Sequence, residues 1–257
     1  MTKNKKEIQS GRTMFAEGIV AEFWIPKKPS GKAFIIVDGC PSVPSKHLLG
    51  EFLARKGYWV FHPRYRGSWE SKGEFLKYSP EEDVRIVALS LNLGFKNIYD
   101  DVTYLLDIKE INVIGASFGG ASAILASRYP EINKVFAFAP VTDWAYSGKY
   151  GKGESFNDFK RQLSEGFGDA YRFPDKNLKK LLTGKFFNPT AHMKEFDGGK
   201  IFLAHAKDDT VISYQQTISF AKLLGIKPLI LAKGGHLSSR LTTTPEVWKK
   251  VSMFLRG

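Results

Sequence analysis

Val113-Ile114-Gly115-Ala116-Ser117-Phe118-Gly119-Gly120 is the stretch of this 257-residue chain that decides its fold. An apolar run ends at Gly115, and from Phe118 to Arg128 the sequence turns to the small and apolar residues of a closely packed helix. A Gly-x-Ser-x-Gly pattern alone arises by chance in roughly one chain in ten of this length. A strand before it and a helix after it remove most such accidents, because that is the setting of a nucleophile elbow, a sharp turn that holds a serine hydroxyl in the open. The serine backbone is strained in such a turn, so its neighbours two residues either side must lack side chains, as Gly115 and Gly119 do. Gly120, Ala121, Ala123 and Ala126 keep the helix thin, and its N-terminus directs the Phe118 N–H toward an oxyanion formed at Ser117.

Working outward from this turn, short apolar runs alternate with helix-like segments, the pattern of a mostly parallel central sheet flanked by helices. Strands are expected at Gly18 to Ile25, Ala33 to Val37, Trp59 to His62, Asn112 to Gly115, Lys134 to Ala139, Ile201 to His205 and Lys227 to Ala232. Phe34-Ile35-Ile36-Val37 and Val135-Phe136-Ala137-Phe138 scarcely alternate in polarity, so both their faces should be covered. The Pro- and Gly-bearing link 26–32 reads as a turn, which predicts an antiparallel pair from the first two strands. Connecting helices are expected over Ser45 to Lys56, with Leu48, Leu49, Phe52 and Leu53 inward, and over Glu81 to Leu93 behind the start signal Ser79-Pro80. Between Asp143 and Lys200 the alternation stops. Phe156, Phe159, Leu163 and Phe167 would share one helical face there, and Leu178, Leu181 and Leu182 a second stripe. Residues 144–199 are therefore expected to form a small helical cap inserted in a single α/β domain, with aromatics lining a substrate pocket.

A serine hydroxyl needs a base, and the base needs an orienting acid. On strand-elbow-helix sheets of this type these follow the serine along the chain, acid first and histidine second. His47 and His62 precede Ser117 and His192 lies in the cap segment, which leaves His205 and His236. His236 is favoured, because Lys233-Gly234-Gly235-His236 is a flexible loop after the last strand. The acid belongs in the loop after the preceding strand, Ala206-Lys207-Asp208-Asp209-Thr210, where either aspartate could serve. A histidine base implies activity that falls as pH drops through about 6 to 7.

Composition excludes other classes. The net charge of +12 is dispersed, only Lys3, Lys5, Lys6 and the pair Lys179, Lys180 cluster, and no nucleic-acid-binding motif accompanies them. A solvated basic surface is therefore expected, with no nucleic acid as partner. No apolar run has the roughly 20 residues of a membrane span, and the polar start carries no signal peptide, so a cytoplasmic location is expected. The single cysteine, Cys40, agrees with a reducing compartment and reads as a packing residue. No metal or organic cofactor is called for. The sequence is compatible with a homodimer through a sheet edge or the apolar cap without requiring one.

From about Ala33 to His236 the chain resembles the catalytic domain of the prolyl oligopeptidase family and related single-domain acyl hydrolases of the α/β-hydrolase fold. Gly115-Ala116-Ser117-Phe118-Gly119-Gly120 is similar to the family's Gly-x-Ser-x-Gly-Gly, and Tyr65-Arg66-Gly67-Ser68 to its Tyr-Arg-Gly-Ser. Ala139-Pro140-Val141-Thr142-Asp143-Trp144 is similar to its segment after the next strand, and His205 to Ile212 to its His-Gly-x-x-Asp-x-x-Val. That last likeness selects Asp209 over Asp208. The family's His-Gly-Gly-Pro oxyanion loop is here Asp38-Gly39-Cys40-Pro41, which departs at two positions but implies the Cys40 N–H as an oxyanion donor beside that of Phe118. Trp144 and Tyr146 fall near positions that line the substrate pocket in relatives. The family's peptidases carry an N-terminal β-propeller that filters substrates, whereas only about 30 residues precede Ala33 here, so small esters are expected before oligopeptides. The resemblance thus implies a serine esterase using Ser117, Asp209 and His236, with a short-peptide peptidase and a non-catalytic binding protein as alternatives.

Overall fold

The structure, a computed structural model, describes residues 7–144 and 153–257. In chain order its elements are β1 (Ser10–Met14), β2 (Val20–Trp24), β3 (Lys32–Val37), α1 (His47–Arg55), β4 (Trp59–Pro63), α2 (Pro80–Ser90), the short β5 (Phe95–Lys96) and β6 (Thr103–Tyr104), and β7 (Glu110–Ala116). Then come α3 (Phe118–Ala126), β8 (Ile132–Phe138), α4 (Gly153–Arg161), α5 (Asp175–Lys179), β9 (Ile201–Ala206), α6 (Tyr214–Leu224), β10 (Leu229–Leu231) and α7 (Pro245–Arg256). Eight strands form one sheet in the order β1-β2-β4-β3-β7-β8-β9-β10. From β4 to β10 every pairing is parallel, and β1 and β2 complete the sheet with antiparallel pairings.

Two apolar cores lie on opposite faces of this sheet, and the two-residue period of the strands sorts side chains between them. Ala33, Ile35, Val37, Phe61, Val113, Val135 and Ala137 join the core that includes Val84 and Val87 of α2 and Ala121 and Ile124 of α3. Phe34, Ile36, Val60, Ile114, Phe136 and Phe138 join the core of α1 and α7, with Leu49, Leu53, Val247 and Val251. The scarcely alternating strands are therefore covered on both faces, as their sequence predicted. α2 starts as its signal implies, with Pro80 in the first turn and the Ser79 N–H donating to Glu82 Oε1 at 3.2 Å.

Several expectations need correction. β2 and β3 are not partners: β2 runs antiparallel to β4 and to β1, a strand the sequence reading missed, while β3 lies between β4 and β7. The polar SGRTM of β1 offers little strand signal of its own; it is held by pairing with β2 and by Asn97 and Ile98 along its other edge, where the Ile98 N–H donates to the Arg12 carbonyl at 2.7 Å. The link 26–32 thus carries the chain past one strand position. Leu48 of α1 is exposed, as is Leu182, while Leu178 and Leu181 are buried. In the 153–200 stretch Phe159 and Leu163 are buried and Phe156 and Phe167 pack against them, although the α-helix ends at Arg161 and passes into a π turn.

Candidate active site

The parallel strands end on one side of the sheet, and there the elbow stands between β7 and α3. Ser117 has φ 57° and ψ −122°, a conformation that costs a non-glycine residue of order 1–3 kcal/mol. Backbone bonds hold it there: the Ser117 N–H donates to the Phe138 carbonyl at 2.9 Å, and the Ser117 carbonyl accepts from Gly120 at 2.9 Å and Val141 at 3.2 Å. The glycines are needed for space. A Cβ on Gly115 would overlap the Gly119 carbonyl oxygen, and one on Gly119 would stand 2.6 Å from the carbonyl oxygens of both Val37 and Asp38. Those obstacles are backbone and cannot swing aside. Gly119→Ala is accordingly expected to lower stability by about 1–3 kcal/mol in urea unfolding; an unchanged midpoint would show that the close approach of α3 to β3 is not needed.

The Asp-Asp pair divides its work. The Asp209 side chain is fully buried, its Oδ1 accepts from the N–H groups of Val211 (2.8 Å) and Ile212 (3.0 Å), and its Oδ2 lies 2.8 Å from His236 Nδ1. Asp208, exposed, accepts instead from the backbone N–H groups of Gly234 (3.2 Å) and Gly235 (2.8 Å), and so ties down the loop that carries His236. A residue not assigned from sequence completes the arrangement. His205 places Nε2 3.0 Å from the same Asp209 Oδ2 and 3.1 Å from the Ile212 carbonyl, with Nδ1 2.7 Å from Thr217 Oγ1. Both neighbours of Nε2 only accept, so Nε2 carries the hydrogen and Thr217 donates to Nδ1. Burial works to raise the Asp209 pKa, but the hydrogen bonds from His205 and His236 and from the Ile212 and Val211 N–H groups outweigh it and hold the carboxyl well below its ordinary value. With Oδ2 facing Nδ1–H, the free nitrogen of His236 is Nε2, the tautomer a base requires.

The loop 38–41 leaves the end of β3 over α3, anchored by a buried polar network. Asp38 Oδ2 lies 2.7 Å from His62 Nε2, Asp38 Oδ1 pairs with Lys46 Nζ at 2.7 Å, and the Tyr65 hydroxyl donates to the Asp38 carbonyl at 3.1 Å. Arg64 Nη1, which can only donate, is 2.9 Å from His62 Nδ1, so it is Nε2–H of His62 that donates to Asp38. The Tyr-Arg-Gly-Ser segment is explained by its partners: Tyr65 under this loop, Arg66 on Asp83, Gly67 where a Cβ would strike the Phe75 nitrogen, and Ser68 Oγ donating to the Tyr65 carbonyl at 2.9 Å. From the 153–200 stretch the Tyr171 hydroxyl reaches across to accept from the Ser42 N–H at 3.0 Å. Burial pushes the Cys40 thiol well above its ordinary pKa, which suits a packing residue and not a nucleophile.

Asp38 and Glu22 share the behaviour of Asp209. Burial opposes their ionisation and is outweighed, for Asp38 by His62 and Lys46 and for Glu22 by Arg64, leaving Asp38 well below the usual carboxylate range and Glu22 at about 2. Folded pKa values below the unfolded ones of about 4 mean stabilisation that is complete above pH 4 and lost as the pH falls. The urea midpoint should therefore stay level from these groups between about pH 5 and 7 and drop between about pH 4 and 2. Asp38→Asn should shrink that drop; an identical acid profile would show that the network carries no such linkage.

A cavity of about 360 Å³ opens beside the elbow, within the usual range for small-molecule sites. Ser117, Phe118, His236, Gly39, Cys40 and Trp144 line it, so the sequence-derived candidates meet there, with Asp209 one hydrogen bond behind His236. Trp144 is held by its Nε1–H on the Phe187 carbonyl at 2.7 Å, its ring 6.0 Å from that of Phe118. Tyr146 lies outside the described residues. Phe159 also lines the wall, as expected of the aromatic segment, and Phe156 does not. Sequence reasoning passed over Lys46, Gln162, Ser238 and Ser239 on the same wall. None stands in a motif, and only for Lys46 was there a signal: the aspartate at position 38, where the resembled family has histidine, calls for a cation nearby.

No family model and no curated protein matches this sequence. Among solved structures the chain is similar to the esterase Pf2001 of Pyrococcus furiosus, at 22% identity over 97% of this chain and 90% of that one, with a TM-score of 0.65. A putative lipase from Acinetobacter baumannii is similar at 17% identity over 97% and 91% of the two chains, TM-score 0.65. An acylaminoacyl peptidase of Pyrococcus horikoshii matches at 17% identity and TM-score 0.66 over 99% of this chain but only 42% of that one. These likenesses, with the strand order above, show the α/β-hydrolase fold. No helix among the described residues is long and apolar enough to cross a membrane.

Proposed function

We propose that this chain, built on the α/β-hydrolase fold, is a serine hydrolase that cleaves small carboxylic esters through an acyl-enzyme. One observation carries the reading: the hydrogen-bonded pair Asp209–His236 opens on the same cavity as a serine held at positive φ on a strand-to-helix turn. His236 Nε2 takes the Ser117 proton as Oγ bonds to the ester carbonyl carbon. The oxyanion accepts from the N–H groups of Phe118, at the start of α3, and of Cys40. Collapse breaks the bond to the alcohol oxygen, which leaves with the proton from His236. Water, activated by the same imidazole, then releases the acid, and Asp209 stabilises the imidazolium in both steps. Residues 144–199 are read as the cap of this single domain, with Trp144 on the pocket wall. No cofactor takes part in this scheme.

The test is labelling by a fluorophosphonate, whose phosphorus takes the place of the acyl carbon, with the adduct mapped by peptide mass, alongside hydrolysis of short p-nitrophenyl esters. A single adduct on Ser117 and ester turnover are expected. A folded protein that takes no label and turns over no ester would leave a binding protein on the same fold. The peptidase neighbour, similar over nearly the whole of this chain, supports a second reading, cleavage of short peptides. Assays of matched ester and peptide substrates separate the two, and the ester is expected to dominate.

A further inference from the structure

Lys46 is the one lysine on the wall of the catalytic cavity, and no aspartate or glutamate lines that wall among the described residues. Its ammonium is anchored from behind. Asp38, its partner at 2.7 Å, is the more deeply buried of the two, with 8% of its side chain exposed against 21% for Lys46, and the other Asp38 oxygen is occupied by His62. An ammonium carries three N–H donors, and its ion pair with Asp38 leaves at least two of them for other partners. The pair therefore presents its positive end to the cavity and hides its negative end. The N-terminus of α3, at Ser117, adds a partial positive charge to the same space. Lys46 also lines a smaller cavity of about 170 Å³ that includes Glu22. A neutral ester offers the Lys46 ammonium no counter-charge, whereas a carboxylate on the substrate would pair with it.

We infer that Lys46 is a specificity-determining residue and that the preferred substrates are small esters carrying a carboxylate. This rests on the hydrolase reading and names its substrate class. Two pairs of esters distinguish where the carboxylate sits. The mono-p-nitrophenyl ester of adipic acid against p-nitrophenyl hexanoate places it on the acyl side; the hexanoate ester of 4-hydroxybenzoic acid against phenyl hexanoate places it on the alcohol side. In at least one pair the wild type should favour the anionic member, and Lys46→Gln, which keeps a donor for Asp38, should reduce the kcat/KM ratio by roughly tenfold or more, the loss of a charge-assisted hydrogen bond. Lys46→Arg should retain most of the preference, and raising salt should erode it in the wild type. Because each ratio is taken within one protein, a general loss of folding or catalytic efficiency cancels. Ratios in both pairs that are the same for wild type and Lys46→Gln overturn the inference while neutral-ester turnover keeps the hydrolase reading intact. A wild type that turns over neither member of either pair and takes no fluorophosphonate label overturns both.

Discussion

Replacing Ser117 by alanine is expected to lower kcat for ester hydrolysis by about 10⁵- to 10⁶-fold and to abolish the fluorophosphonate adduct. The change removes one oxygen and nothing else. The backbone bonds that hold the elbow, from the Ser117 N–H to Phe138 and from Gly120 and Val141 to the Ser117 carbonyl, do not involve the side chain, so the turn should persist and the urea midpoint should hold. The small residual rate would come from the Phe118 and Cys40 N–H groups and the cavity, which still orient and polarise a bound ester for attack by water. Steady-state hydrolysis of p-nitrophenyl butyrate measures this directly. A variant that keeps more than about a hundredth of the wild-type rate would place the nucleophile elsewhere in the chain.

Asp209→Asn should lower kcat by about 10⁴-fold with little change in KM, the loss associated with holding the wrong imidazole tautomer. The geometry makes the reason specific. Asp209 Oδ2 receives His236 Nδ1–H and His205 Nε2–H together, while Oδ1 receives two backbone N–H groups. An asparagine has one acceptor oxygen. If it serves Val211 and Ile212, its amide turns two donors toward the histidines, and His236 is driven to carry its proton on Nε2, where it cannot act as a base. The mismatch is buried, so stability should fall as well, by about 1–3 kcal/mol. Asp208→Asn is the control. It stands one residue away, is exposed, and touches the Gly234 and Gly235 N–H groups instead of an imidazole. Its amide oxygen can keep one of these two N–H groups, which donate to different oxygens of Asp208, while the other is exposed and can turn to water, so its effect on kcat should stay within about tenfold. Steady-state kinetics on the two variants therefore separates the aspartates; equal losses would mean that the acid acts through the loop and not through the imidazole.

What the sequence determined by itself is local. The elbow was legible because its requirements are satisfied within six residues: a strand ending at Ala116, a serine at strained φ, and glycines at 115 and 119 where a Cβ would meet backbone. The layered α/β build was legible for the same reason, since covering both faces of β3 and β8 removes the polar alternation from their own residues. His236 could be chosen by its place in a glycine loop after the last strand. The tertiary structure decided whatever depends on partners far apart in the chain. β1 has no apolar face to announce it and exists through β2 and the Asn97–Ile98 segment, while β2 found β4 and not the nearer β3. Composition alone leaves Asp208 and Asp209 equivalent; what separates them in space is that one carboxylate is buried between two imidazoles and two N–H groups and the other faces the glycines of the His236 loop. Lys46 reads as one more surface lysine until Asp38, buried and bonded to His62 from another strand, draws its ammonium to the cavity wall. Steric demands and periodicity act between neighbours and leave their mark in the sequence, but a buried charge is compensated by whichever residue the fold brings near.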